Sequence, residues 1–166
     1  MSKKLLISDA NIIIDIVAGE LVDAMFSLNY EFGTPDILYA EELEQQHSNI
    51  LNAGLKLFEL SPESIDVANS YYQNNTAIRV SANDCLALSL AQQEECALLT
   101  GDSKLKQLAI VEGITVHGTL WLVDTMYNNS LINVVDAENA YKKMLDDGSR
   151  LPEKEIQKQL KKFNKK

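Results

Sequence analysis

Three aspartates occupy places in the sequence from which carboxylates could act together. Asp9 and Asp102 each come just after a short apolar run, over residues 4–8 and 97–100, and Asp84 lies in the first turn of an apolar helix. Carboxylate oxygens are hard ligands that suit Mg²⁺ or Mn²⁺. The first chemistry to consider is therefore that of a divalent cation held by acidic side chains.

The elements that must position these acids alternate between short strands and helices. Apolar runs and turn residues predict strands over residues 4–8, 55–60, 97–100 and 113–116, with a turn or brief strand at 34–36. Helical spacing and capping residues predict helices over residues 11–17, 21–30, 37–50, 61–72, 81–95, 101–111, 119–128, 136–146 and 153–163. This alternation indicates a parallel sheet covered on both faces. Ligands bind beyond the carboxyl ends of the strands in such sheets, so we expect Asp9 and Asp102 to meet there.

Length and composition favour one domain. The 166 residues are 46% hydrophobic, which supplies a packed core. No apolar run approaches the roughly 20 residues of a membrane span, and polar side chains interrupt any secretory signal near the start. The two cysteines, Cys85 and Cys96, give neither a disulfide framework nor a zinc-ligand spacing. We therefore expect a cytoplasmic location.

The formal net charge of −9 conceals two regions of opposite sign. Residues 1–140 hold 20 of the 24 acidic and 6 of the 15 basic residues, a balance of −14. Residues 141–166 hold the other 4 acidic and 9 basic residues, a balance of +5. An acidic body repels phosphate unless metal ions intervene, so any nucleic-acid function must explain this acidity.

Four segments resemble, in order and spacing, the motifs of PIN-domain nucleases: LLISDANIIIDI, AEELEQQ, SANDCLALSLAQQ and LLTGDSKLKQLAIVEGITVHGT. The stretch HGTLWLVDTMYNNSLI is similar to a prokaryotic PIN subgroup with a helical extension, and VapC-type ribonuclease toxins are better-known relatives. The resemblance implies a Rossmann-like three-layer α/β/α sandwich with a central parallel sheet and extra C-terminal helices. It divides the chain into a PIN-like nuclease domain (1–130) and a helical extension with a basic tail (131–166), within one compact unit.

Carried over residue by residue, the resemblance assigns the catalytic and metal-binding acids to Asp9, Glu42, Asp84 and Asp102. Glu42 is preferred to Glu41 because the family's glutamate usually precedes an apolar residue, here Leu43. Asn11 and Thr100 match accessory polar positions that would orient a water molecule or an acid.

The activity that the resemblance implies is hydrolysis of RNA phosphodiester bonds with Mg²⁺ or Mn²⁺ as cofactor. The implied partners are an RNA substrate, an antitoxin protein and a second copy of the chain in a homodimer. Basic residues of the tail could hold flanking phosphates, and they are Lys142, Lys143, Arg150, Lys154, Lys158, Lys161 and Lys162.

Each acid also has a purely structural interpretation. Asp9 and Asp102 are good helix N-caps, and Ser81 with Asp84 fits a capping box. The glutamates around Glu42 fit a solvated helix face. We interpret His47 and His117 as structural, because neither has a ligand partner nearby in the sequence. We likewise interpret Cys85 as a packing residue and the apolar 119–128 helix as core or a dimer surface.

Two other function classes compete with the nuclease. A haloacid-dehalogenase-like phosphatase also uses an aspartate after its first strand, but Asn11 stands where its second acid is expected. Its later acid is likewise replaced around Leu105 and Lys106. A PIN fold that binds nucleic acid or protein without cutting is the remaining alternative, and the four intact acids count against it.

Overall fold

The computed structural model describes residues 3–165, which form a five-stranded, all-parallel sheet flanked by helices. The strands are β1 (Lys4–Ser8), β2 (Tyr30–Pro35), β3 (Lys56–Phe58), β4 (Ala97–Leu99) and β5 (Val116–His117). Their order across the sheet is β3-β2-β1-β4-β5. The predicted α/β class with a central parallel sheet is confirmed. The chain builds outwards from β1 in both directions, so the switch point lies between β1 and β4.

The α-helices connect these strands and complete the chain. They are α1 (Ala10–Ala18), α2 (Val22–Phe26), α3 (Asp36–Leu38), α4 (Glu44–His47), α5 (Ile50–Ala53), α6 (Pro62–Asn74), α7 (Ala82–Gln93), α8 (Ser103–Val111), α9 (Thr119–Asn128), α10 (Val134–Asp146) and α11 (Glu153–Asn164). Helix α7 packs on β1 and β2 beside α6 and α8, whereas α1 packs against α2, α9 and α10. Within residues 3–165, no helix combines the length and apolar character needed to cross a bilayer.

Capping side chains fix where the two longest inter-strand helices begin. Ser61 accepts a hydrogen bond from the Ser64 amide at 3.1 Å, and Pro62 occupies the first position of α6. Ser81 accepts from the Asp84 amide at 3.0 Å and starts α7. Helix α7 is buried nearly all round, as its apolar sequence predicts. Its fixed start determines where Asp84 lies relative to the sheet.

The helix predicted over residues 37–50 is confirmed from Asp36 to His47, but it is not a regular α-helix and it does not continue to residue 50. The chain instead forms α3, a π-helical turn over Tyr39–Leu43 and the short helix α4, and it becomes helical again only at α5. The π-helical turn accommodates an extra residue, and such turns often occur at functional sites. Here it contains Glu41 and Glu42.

Strand β2 is longer than the brief strand predicted at 34–36, and the helix predicted over 21–30 ends at Phe26. Gly33 and Pro35 are poor strand residues, which hid β2 in the sequence. Gly33 is required by packing, because a Cβ atom there would lie 2.7 Å from Phe58 Cδ2. The last strand is also displaced, from the predicted 113–116 to Val116–His117.

Candidate functional site

Asp9 lies at the carboxyl end of β1, where it caps helix α1. Its side chain is 1% exposed and accepts two hydrogen bonds. The Ile12 amide donates to Oδ1 at 3.0 Å, and the Thr100 hydroxyl donates to Oδ2 at 2.5 Å. The Asp9 amide donates to the Leu99 carbonyl oxygen at 3.0 Å, which ties β1 to the end of β4. The residue therefore caps a helix and also joins the carboxyl ends of two neighbouring strands.

The environment of Asp9 disfavours its negative charge. Burial raises the pKa of its carboxyl group from 3.8 to about 7, although the hydrogen bonds from Thr100 and Ile12 pull in the opposite direction. The negative charges of Asp84 and Asp15 add to the rise in pKa. A buried acid with other acids as its charged neighbours is a common feature of functional sites.

Asp84 reaches the same edge of the sheet from the first turn of α7. Burial raises the pKa of its carboxyl group, hydrogen bonding to Ser81 lowers it, and the negative charges of Asp102 and Glu42 raise it further. Asp84 also contributes to the raised pKa of Asp9. The carboxyl group of Asp84 is therefore electrostatically coupled to the other three acids predicted from the sequence.

Asp102 caps α8 immediately after β4. Its Oδ1 accepts hydrogen bonds from the amides of Lys104 at 2.8 Å and Leu105 at 3.4 Å. The Asp102 amide donates to Thr100 Oγ1 at 3.1 Å, and the same hydroxyl donates to Asp9. Thr100 thus connects the two strand-end aspartates, in a position that fits the accessory role predicted for it.

The glutamates of the π-helical turn meet α7 through Asn83. The side-chain amide of Asn83 donates to Glu41 Oε2 at 2.8 Å and to Glu42 Oε2 at 3.0 Å. Of these two glutamates, Glu42 is the one that raises the pKa of Asp84. This coupling favours Glu42 over Glu41 as the member of the acidic group. Asn83 was missed by sequence reasoning, although it directly precedes Asp84 in the quoted SANDC segment.

Two hydroxyl side chains form hydrogen bonds at the carboxyl end of β1. The Thr34 hydroxyl donates to the Ser8 carbonyl oxygen at 2.9 Å, and the Ser8 hydroxyl donates to the Asp9 carbonyl oxygen at 2.8 Å. Both residues are completely buried. Sequence reasoning missed this role for Ser8 and Thr34, and the one signal is the small hydroxyl residue Ser8 at the end of an apolar run.

Within residues 3–165, neither Asn11 nor the basic residues predicted in the tail form a hydrogen bond or an ion pair with the four acids. Asn11 is exposed on the first turn of α1, and no side-chain hydrogen bond found within residues 3–165 involves it. Lys143 pairs with Glu20, and Lys142 lies 3.6 Å from Glu138. Three further residues that were predicted to contact phosphate are exposed. Arg150 lies on the loop after α10, and Lys154 and Lys158 lie on α11.

The other chemically versatile side chains have structural surroundings. Cys85 is buried in α7, and burial raises the pKa of its thiol to about 11, so it is a poor nucleophile. The His117 ring stacks on Trp121 with centroids 3.9 Å apart, and burial lowers the pKa of the imidazole. These environments agree with the structural interpretation of both residues.

A divalent cation fits this group of acids by its chemistry. The donors are carboxylates, the ligand type that Mg²⁺ and Mn²⁺ prefer, and in residues 3–165 no ion pair involves Asp9, Glu42, Asp84 or Asp102. In that same part of the chain, no three acidic, histidine or cysteine side chains lie close enough to form a ready-made metal-binding group. Burial is the main cause of the raised pKa values of Asp9 and Asp84, and a cation would neutralise the neighbouring negative charges that add to the rise.

Comparison with protein families identifies a match for the chain. The family model DUF3368, which is described as a PIN domain, matches residues 5–165. No curated protein and no solved structure matches the chain. The family match extends from β1 into α11 and thus covers the sheet, the four acids and the C-terminal helices. PIN domains are generally nucleases, and the five-stranded parallel sheet described above agrees with their Rossmann-like fold. The chain belongs to the PIN-domain family.

Proposed function

We propose that this protein is a metal-dependent endoribonuclease that hydrolyses RNA phosphodiester bonds. The observation that carries the proposal is the gathering of four acids at one edge of the sheet, where Thr100 joins Asp9 to Asp102 and Asn83, the neighbour of Asp84, holds Glu42. These four acids come from four separate parts of the chain. Helix capping accounts for Asp9 and Asp102 singly, but it gives no reason for their gathering with Asp84 and Glu42.

The chain's own residues would bind and orient the reactants. We propose that Asp9, Glu42, Asp84 and Asp102 hold Mg²⁺ or Mn²⁺, which would supply positive charge to the phosphate as the phosphodiester bond breaks. Thr100 keeps the Asp9 carboxylate fixed through its hydroxyl group, and Asn83 restrains the glutamate. The strand ends beneath them are rigid because Ser8 and Thr34 are buried and hydrogen-bonded.

We further propose, from the family resemblance, that the protein is a cytoplasmic toxin of a toxin–antitoxin pair. Its partners would be an antitoxin protein and a second copy of the chain. Helix α9 was one candidate for the dimer surface, but Leu122, Val123 and Met126 are completely buried in the core of a single chain. Leu120, Trp121 and Tyr127 of the same helix are only half-buried, so they are the part of α9 that a homodimer could use. Light scattering of the purified protein would measure its mass.

The activity is tested by incubating a mixed pool of end-labelled RNAs with the protein in Mn²⁺ or in EDTA. We expect cleavage in Mn²⁺ alone and at least a 100-fold loss in Asp84→Asn, which conserves size and hydrogen bonding but removes the charge. Asp66→Asn, at an exposed acid on α6, is the matched control and should cleave like the wild type.

Two outcomes would contradict the proposed nuclease. Cleavage that persists in EDTA would exclude the metal-dependent mechanism. RNA binding that is equal with and without metal, accompanied by no cleavage of any RNA in the pool, would favour a PIN fold that binds nucleic acid without cutting it.

A further inference from the structure

A row of lysines follows α11 on the side opposite its buried face. At 100° per residue, five exposed lysines fall within about 100° of arc, and these five, named the lysine stripe, are Lys154, Lys158, Lys161, Lys162 and Lys165. The buried residues Ile156, Leu160 and Phe163 lie on the opposite side of the helix. The stripe therefore points away from the core and extends about 16 Å along the helix axis.

Most of the lysine stripe lacks an acidic partner. Within residues 3–165, the stripe lysine found in an ion pair is Lys158, which lies 3.5 Å from Glu155. Three lysines outside the stripe are each paired with an acid: Lys56 with Glu31, Lys142 with Glu138, and Lys143 with Glu20. Four unpaired lysines thus follow one side of α11. The other exposed basic residues of residues 3–165 that are in no ion pair are spread over several parts of the fold, and they are Lys3, Lys4, Arg79, Lys104, Lys106 and Arg150.

The packing of α11 against α9 gives the lysine stripe a direction. Helix α9 begins next to the acids, since a Cβ atom on Gly118 would lie 3.5 Å from the Thr100 carbonyl oxygen. The Gln159 side chain donates to the Leu120 carbonyl oxygen at 2.8 Å, in the first turn of α9.

The far end of α9 also contacts α11. The Tyr127 hydroxyl donates to the Phe163 carbonyl oxygen at 3.2 Å, in the last turn of α9. The two helices therefore run in the same direction. The Lys154 end of the stripe points towards the acidic edge of the sheet, and the Lys165 end points away from it.

We propose that the lysine stripe binds the phosphates of single-stranded RNA and guides the strand towards the four acids. This inference rests on the proposed ribonuclease function. A body with a charge balance of −14 over residues 1–140 repels a polyanion, so the strand needs a separate positive surface from which to approach. The stripe supplies that surface, and its Lys154 end points towards the acidic edge of the sheet.

This assignment differs from the basic residues predicted from the sequence. It keeps Lys154, Lys158, Lys161 and Lys162, and it adds Lys165, which follows α11 on the same side. Arg150 precedes α11 and is not part of the stripe. The assignment excludes Lys142 and Lys143, because their charges are compensated by Glu138 and Glu20. Helical spacing in the sequence is the signal that identifies the stripe.

The test measures binding of a labelled, unstructured 20-nucleotide RNA to the full chain by fluorescence anisotropy in EDTA, where cleavage is absent. The stripe variant carries Lys154→Gln, Lys161→Gln and Lys162→Gln. The control variant carries Lys56→Gln, Lys142→Gln and Lys143→Gln, which removes the same charge from ion-paired lysines. Equal melting temperatures would show that both variants fold.

We expect the stripe variant to bind RNA at least 10-fold more weakly than the wild type and the control variant less than 3-fold more weakly. The slope of log affinity against log salt should fall by about 2 in the stripe variant, because each lost phosphate contact removes about 0.7. Equal losses in both variants, or no loss in the stripe variant, would overturn the proposal. Binding of the wild type to phosphatidylserine vesicles but not to RNA would also overturn it.

Failure of the stripe and failure of the nuclease are distinguishable. RNA that needs the stripe for binding but is never cleaved in Mn²⁺ would contradict the nuclease alone. RNA that is cleaved in Mn²⁺ with equal efficiency by the stripe variant and the control variant would contradict the stripe alone.

Discussion

The Thr100 hydroxyl donates a 2.5 Å hydrogen bond to Asp9 Oδ2 and accepts one from the Asp102 amide. Two aspartates that are 93 positions apart in sequence are therefore linked through one buried side chain. This link exists because β1 and β4 are parallel neighbours, so their carboxyl ends meet at the same edge. The predictions below follow from this arrangement and from the packing beneath it.

Thr100→Val should weaken both the fold and the site. Valine keeps the shape of threonine but removes the hydroxyl group, so the buried Asp9 carboxylate loses one of its two hydrogen bonds. We expect the free energy of unfolding to fall by about 1–3 kcal/mol, as measured by urea denaturation. RNA cleavage should fall too, and its pH profile should move upwards. Thr100→Ser keeps the hydroxyl group and should have the wild-type pH profile. Equal pH profiles in the wild type, Thr100→Val and Thr100→Ser would exclude a role of the hydroxyl group in the protonation of Asp9.

Asp9 should make the metal-free protein less stable as the pH rises. Its pKa of about 7 in the fold exceeds the ordinary value of 3.8, so the folded state holds this proton more tightly than the unfolded chain. This stabilising contribution is fully present below about pH 4 and is lost as the pH rises through 7. Its size is at most about 4 kcal/mol.

Urea denaturation in EDTA between pH 4.5 and 8 measures this effect. The wild type should lose stability over that interval, and Asp9→Asn should show a flatter dependence because it removes the titrating group. The exposed control Asp66→Asn should retain the wild-type slope. Identical slopes in Asp9→Asn and the wild type would contradict the buried, uncompensated state of Asp9.

Gly33→Ala should destabilise the sheet. The added Cβ would lie 2.7 Å from Phe58 Cδ2 and 3.3 Å from Ile7 Cδ1, so the Phe58 ring must move from its place against the sheet. Overpacking of this kind costs about 1–3 kcal/mol, which thermal unfolding followed by circular dichroism would detect. Gly101→Ala is the matched control, since nothing lies within 4 Å of a Cβ there. A loss of stability in Gly101→Ala as large as in Gly33→Ala would refute the packing argument.

Asn83 should affect the site through the glutamates that it holds. Asn83→Ala removes both hydrogen bonds to Glu41 and Glu42 without touching a carboxylate. We expect cleavage to fall about 10-fold and to be partly recovered at higher Mn²⁺ concentration, because the loosened glutamate still carries its charge. Kinetics at a series of Mn²⁺ concentrations would show this, and a loss that no concentration of Mn²⁺ relieves would contradict a positioning role.

Local sequence patterns predict the bounds of some strands and helices correctly. β1 and α9 have the predicted bounds, because an apolar run ending before Asp9 and a helical pattern opening at Thr119 mark them. Strand β2 was not recognised in full, since Gly33 and Pro35 disfavour strands and are tolerated here by packing. The π-helical turn at Tyr39–Leu43 leaves no trace in hydrophobic spacing.

Some residues of the candidate site are likewise predictable from the sequence and others are not. The rule that ligands bind at the carboxyl ends of parallel strands is sufficient to predict from the sequence that Asp9 and Asp102 lie together. The contact between Asn83 and the π-helical turn joins residues about forty positions apart, and it depends on how α7 packs. No local pattern encodes such a contact, which is why Asn83 was missed while its neighbour Asp84 was found.

The central claim is that the four acids form a cation-binding site, and calorimetric titration of Mn²⁺ into the full chain tests it most directly. This measurement needs no knowledge of the RNA substrate. Saturable binding should be present in the wild type and in Asp66→Asn, and it should weaken at least 10-fold in Asp84→Asn. If Asp84→Asn binds Mn²⁺ as tightly as the wild type, or if the wild type binds none, the acids do not form a cation-binding site.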